Sequence, residues 1–265
     1  MIFSEYNNFN KQDFNFSEID FVETSAKEIE NMEIKCKKIL AETSVDEYFK
    51  NSSGIFNNIE SYIKYSKIDF NNKSILEFGA GNCKMSAIIS KLYNVNSIDC
   101  VDMSKTLLTE IAPRVIKHIG GNLKKFKFII CDMNKIDLLK KKYDIIICYS
   151  VVHHLQLPEY FFHYQLDKIT HKNSQVLCLE EAAIPYFSLP FSGVSSYKRK
   201  QYDLRCSGDN ENVYTVFKYK TFFQKKWDVK NLHISNIKNF IKRIFIFFSL
   251  KGFSYNFILT KKNFF

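Results

Sequence analysis

Two acids in this chain each close a short apolar run. Glu77 follows Ile75-Leu76, and Asp102 ends Ser97-Ile-Asp-Cys-Val101. Gly79 and Gly81 stand two and four positions after the first acid. Glycines let a backbone turn sharply and let a ligand approach it closely. A carboxylate at the end of the next strand can accept both hydroxyls of a ribose. Asp132-Met133 follow a third apolar run, Phe126 to Cys131. His153-His154 follow a fourth, Tyr143 to Ser150. A neutral imidazole there can take a proton from an acceptor hydroxyl or amine. Glu180-Glu181 end a fifth run and can either touch substrate or cap a helix. Beyond them Tyr197, Lys198, Arg199 and Arg205 offer an aromatic and cationic clamp for a phosphate or carboxylate.

These residues need a scaffold that gathers strand ends. Runs of Ile, Val, Phe and Cys with little alternation are those of parallel strands buried on both faces. Helical segments separate them: Lys84 to Leu92 after the glycines, and Pro158 to about Ile169, with proline favoured in a first turn. Such alternation predicts an open α/β sheet, in which ligands bind beyond the carboxyl ends of the strands. Ala26 to Ala41 predicts a helix, and Ser44 with Glu47 a capping box for a short second one. Residues 1–55 show no strand alternation and are expected to form a helical lid on the domain of residues 56–265. Residues 183–212 break the pattern with two prolines, two glycines and a basic cluster. Insertions of that length in a compact domain are usually functional. Asn212 to Gln224 predicts a helix, and Trp227 to Ile234 with Phe253 to Thr260 a closing antiparallel pair.

A dinucleotide fingerprint would want a small residue three positions after Gly81, where Lys84 stands. The acidic-x-Gly-x-Gly form instead resembles motif I of class I S-adenosylmethionine (SAM)-dependent methyltransferases. The order of the later acids and of Val151-Val-His-His-Leu155 extends the resemblance over roughly residues 56–184. It departs from the longer family pattern at Cys83, where a third glycine is usual. The resemblance implies a Rossmann-like seven-stranded sheet in the order 3-2-1-4-5-7-6, the last strand antiparallel and helices on both faces. It implies SAM as cofactor, with contacts from Glu77, Gly79, Ala80, Gly81, Asp102, Met103, Asp132, Met133 and Ser150. His153 or His154 is the candidate base, and Glu181, Tyr197, Lys198, Arg199 and Arg205 are the candidate substrate residues.

Bulk properties narrow the function. No stretch reaches 18 uninterrupted apolar residues, so no spanning helix is expected. Seven cysteines without C-x-x-C spacing read as reduced core residues of a cytoplasmic protein. No metal site is expected, because neighbouring histidines point to different sides of an extended chain. Charge is uneven: residues 1–70 carry 8 Lys/Arg against 13 Asp/Glu, and residues 185–265 carry 15 against 4. The basic third suits an anionic partner. Lys238, Lys242, Arg243 and Lys251 flank the apolar run Phe240 to Leu250, which is either a buried helix, a dimer contact or a peripheral membrane contact. Monomer and homodimer both remain open.

The reading favoured is a methyltransferase acting at oxygen on a small or medium-sized anionic acceptor, such as a sugar or a phosphorylated metabolite. Nucleic-acid methylation is the alternative, weakened by the lack of an Asn/Asp-Pro-Pro-aromatic run and of a Pro-Cys pair. A non-catalytic SAM-fold subunit is the third reading, opposed by the retention of Glu77, Asp102 and Asp132.

Overall fold

The computed structural model describes residues 15–18, 26–42, 59–132, 136, 139–155, 157–184, 214–223, 226–232 and 253–262. Its strands are β1 (Asn15–Glu18), β2 (Ser74–Phe78), β3 (Ser97–Asp102), β4 (Phe126–Ile130), β5 (Tyr143–Tyr149), β6 (Thr170–Ile184), β7 (Tyr214–Thr215), β8 (Trp227–Asn231) and β9 (Phe253–Lys261). They form one sheet in the order β1-β4-β3-β2-β5-β6-β9-β8, with β7 paired to the end of β6. Counting from β2 and omitting the short β1 and β7, this is the order 3-2-1-4-5-7-6. Only β9 runs antiparallel to its neighbours. The order follows from crossover connections on both sides of the first core strand, β2.

The central strands are buried on both faces, as their unbroken apolar runs require. Leu76, Phe78, Val101, Ile146 and Cys148 face one core cluster, and Ile75, Ile98, Cys100, Ile145 and Ile147 face the other. The first core also holds an aromatic block of Phe161, Phe162, Tyr219, Phe222, Phe223, Trp227 and Phe257. The indole N–H of Trp227 donates to the Phe162 carbonyl at 2.8 Å, which satisfies that buried donor.

Helix α1 is Ala26–Glu42, α2 covers residues 59–66, α3 is Lys84–Leu92 and α4 is Ala112–Ile119. Pro158 starts a helical run, α5 (Pro158–Tyr160), whose middle is a π turn at Phe161–Gln165 and whose end is α6 (Leu166–Ile169). Helix α7 (Val216–Phe223) follows β7.

The N-terminal region differs from its sequence expectation at one point. Asn15–Glu18 pairs parallel with β4 and covers that edge of the sheet. Edge pairing uses main-chain groups alone, so it leaves no alternation to read. The second expected N-terminal helix, the insertion from 185 to 212 and the apolar run 240–250 lie outside the described residues.

Candidate active site

The glycine turn is built by backbone geometry. Gly79 and Gly81 both have positive φ, at 61° and 53°. Cys83 follows with φ 58° as the N-cap of α3. A side chain is tolerated there, at a cost in strain that glycine would avoid. The turn is pinned from below: Ala80 N–H donates to the Val101 carbonyl at 2.9 Å and Cys83 N–H to the Ala80 carbonyl at 2.8 Å.

Two acids flank this turn. Glu77 is buried and accepts one backbone bond, from Ser86 N–H at 3.2 Å. Burial pushes its carboxyl up to about 7, and Ser86 and, less, Lys84 offset this only in part. Desolvation of a charge without a full set of donors is the cause. Asp102 is buried too, and two backbone amides reach it. Gly81 N–H donates to Oδ2 at 2.8 Å and Ser104 N–H to Oδ1 at 2.9 Å. Burial outweighs those bonds, and its carboxyl also lies above the ordinary range. Among the described residues neither acid sits in an ion pair. Cys83 and Cys100 place their sulfurs within 4.8 Å of each other and of the Glu77 carboxylate. Burial pushes both thiols up, so they lie there as protonated, apolar groups.

Helix α1, expected as part of a lid, reaches the same edge through Glu33, a contact that no motif announces. Glu33 accepts from Ser104 Oγ at 2.7 Å, from Thr106 N–H at 3.2 Å and, in a short bond, from Thr106 Oγ1. Burial alone would raise its carboxyl, but the bonds from Thr106 and Ser104 prevail and hold it below its ordinary value. Met103 is buried beside Val101 in the first core cluster. Asp132, also buried, follows β4, in the chain position expected. Met133 lies outside the described residues.

A second group forms beyond β5. Ser150 is left-handed, with φ 55°, and its N–H donates to the Leu179 carbonyl at 2.7 Å. The chain then turns through Val152–His154. Glu181 fastens this turn. Its Oε1 accepts from Val151 N–H and Val152 N–H, both at 3.1 Å, and its Oε2 from His153 N–H at 3.3 Å. The His153 ring meets the same Oε2 through Nδ1 at 3.0 Å. Glu181 is wholly buried. A register shift between Cys178 and Glu181 places it there: β6 carries an extra residue against β9, and Glu180 takes φ 54°. Bulges of this kind re-aim side chains beside active sites. Both oxygens of Glu181 thus serve the chain's own donors, and its place is under the loop. His154 is half-buried, with its ring 4.3 Å from that of His153.

Left-handed non-glycine residues mark three points of this edge, Cys83, Ser150 and Glu180, where function most often holds backbone strain. The candidate substrate residues Tyr197, Lys198, Arg199 and Arg205 lie outside the described residues. A cavity of about 540 Å³ opens instead on the flank between α5 and α7, lined by Leu157, Tyr160, His163, Tyr214 and Phe222 among others. None of its lining residues belongs to the glycine turn or the acids beside it.

Comparison with known proteins fits this geometry. The methyltransferase-domain family matches residues 75–164, which run from β2 into the π turn. No curated protein matches the sequence. Phosphoethanolamine N-methyltransferase 2 of Haemonchus contortus, solved with phosphomonomethylethanolamine and S-adenosylhomocysteine, is 12% identical with a TM-score of 0.63. The alignment covers 92% of this chain and 61% of that one. Magnesium protoporphyrin IX methyltransferase of Synechocystis, solved with S-adenosylhomocysteine, is 12% identical with a TM-score of 0.57, covering 90% and 98%. The cyclopropane synthase MmaA2 of Mycobacterium tuberculosis is 10% identical with a TM-score of 0.55, covering 78% and 83%.

Proposed function

We propose that this chain, which carries a class I SAM-dependent methyltransferase domain, methylates a hydroxyl of a small anionic acceptor. The observation that carries the cofactor half is the bond from Gly81 N–H to Asp102 Oδ2. It joins the turn that a cofactor must approach to the acid that must receive its ribose. A carboxylate has about four lone-pair sites. Two are taken by amides in Asp102, so two can accept ribose hydroxyls. Glu77 is a buried acid short of donors and cations, and a cationic methionine end fits that need. Met103 supplies an apolar surface for adenine, and Asp132 a further acceptor. When bound, SAM supplies an activated methyl group.

The remaining chemistry falls to His153. Glu181 accepts from its Nδ1 side, so the ring keeps its proton on Nδ1 and Nε2 is the basic atom. Glu181 also stabilises the imidazolium once Nε2 has taken the acceptor proton. Alignment of acceptor and methyl supplies most of the rate, because in-line transfer needs little covalent help from protein. The Glu181 carboxylate held against Nδ1 favours His153 as the base.

An anionic acceptor is supported by the basic C-terminal third and by Lys198, Arg199 and Arg205 in the segment after β6. The Haemonchus relative bears a phosphorylated small molecule on the same fold. Buried thiols without disulfides among the described residues suit a reducing, cytoplasmic setting. Calorimetry with S-adenosylhomocysteine, then label transfer from methyl-labelled SAM to phosphorylated and carboxylated hydroxy compounds, tests the reading. Transfer confined to RNA, or tight cofactor binding with a His153→Ala variant as active as wild type, would overturn it.

A further inference from the structure

We infer that Glu33, on the N-terminal helix, is a positioning residue for the cofactor site, acting on Asp102 through the turn from Met103 to Thr106. The inference rests on the reading that Asp102 receives the ribose. Glu33 lies 71 residues from Ser104 in the chain, yet its carboxylate gathers three donors from this turn. Ser104 is wholly buried and Thr106 nearly so, so in the folded protein both hydroxyls depend on protein partners, Glu33 first among them. The same Ser104 turns its N–H to Asp102 Oδ1 at 2.9 Å. Leu107 N–H returns to Ser104 Oγ at 3.2 Å and closes the turn. Any slackening of Glu33's hold therefore moves the donor that fixes one oxygen of Asp102. The other oxygen stays on Gly81, and the carboxylate plane would swing about it.

Docking of the helix does not need Glu33. Met32, Cys36 and Leu40 recur along one stripe of α1 and pack on Leu107, Ile111, Val115 and Ile119. An apolar stripe of this kind holds a helix without help from a half-buried acid. The acid costs desolvation, and what it adds is orientation of the turn.

The test is a cycle of Glu33→Ala and Asp102→Asn, with S-adenosylhomocysteine affinity measured by calorimetry and apo melting recorded beside it. Glu33→Ala should weaken binding about tenfold in the wild-type background and less than twofold beside Asp102→Asn. Glu33→Gln, which keeps one acceptor oxygen, should recover part of the loss. An equal loss in both backgrounds would show that Glu33 acts by holding the helix, and would overturn the inference. Unchanged affinity in Glu33→Ala would do the same. A wild-type protein that binds no S-adenosylhomocysteine, or an Asp102→Asn variant that binds it as wild type does, removes the cofactor reading itself and this inference with it.

Discussion

The carboxyl edge of the sheet buries acids on both sides of β2, and the two sides furnish them differently. Beyond β5 and β6, Glu181 receives three backbone amides and an imidazole. At the ends of β2 and β3, Glu77 receives one amide and Asp102 two. A buried carboxylate with a full set of protein donors is part of the scaffold. One left short of donors keeps a cost that a ligand can relieve. On the proposed function, the first group holds a loop and the second is left to hold a cofactor.

The largest effect should come from the furnished side. Glu181→Ala strands three buried N–H groups, each worth roughly 1–3 kcal/mol when unsatisfied. We expect about 4 kcal/mol lost from unfolding stability in urea, and about half of that for Glu181→Gln, which still accepts. A change under about 1 kcal/mol in Glu181→Ala would break the distinction drawn between the two sides.

Glu77 should behave in the opposite sense. Its carboxyl is pushed up to about 7 from an ordinary 4.5. The native state therefore holds a proton that the unfolded state has lost between those values. Stability falls as pH rises through that window and stays lower above it. Glu77→Gln removes the penalty, so the variant should be more stable than wild type at pH 8, by about 3 kcal/mol, and close to it at pH 4.5. The same change should weaken SAM binding. Melting curves at the two pH values with a SAM titration decide it: a variant less stable at pH 8 means Glu77 is structural after all.

How far the sequence disclosed this arrangement depends on the range of each interaction. The strands from β2 to β6 were legible because burial on both faces demands apolar runs, and the sheet order because crossover rules leave few orders and the family resemblance points to one of them. Glu77, Gly79, Gly81 and Asp102 were legible because one strand-turn-helix unit and the next strand fix their spacing. Glu33 was not, since nothing local in α1 announces a partner 71 residues away. Glu181 was legible as an acid at a strand end, but its direction was not: the extra residue of β6 and the left-handed Glu180 turn it under the loop. The edge strand β1 escaped because main-chain pairing leaves no side-chain period. The π turn within Phe161–Gln165 lies inside an apolar helical pattern that an α-helix would satisfy equally.

Asp102 gives the smallest of these effects on folding and the most direct one on function. Each of its oxygens already takes one amide, so part of its desolvation is met without ligand. Asp102→Ala leaves the buried Ser104 amide and the half-buried Gly81 amide without this acceptor but also lifts the desolvation of the charge, so the net cost should be about 1 kcal/mol of stability. For the cofactor it removes two charge-assisted hydrogen bonds, each worth about 1.5–3 kcal/mol before the cost of desolvation. Affinity for SAM should fall at least about tenfold, which is about 1.4 kcal/mol. Calorimetry on the folded variant separates the two quantities. A loss confined to stability, with SAM affinity intact, would place Asp102 with Glu181 among the scaffold acids and erase the difference between the two sides of the edge.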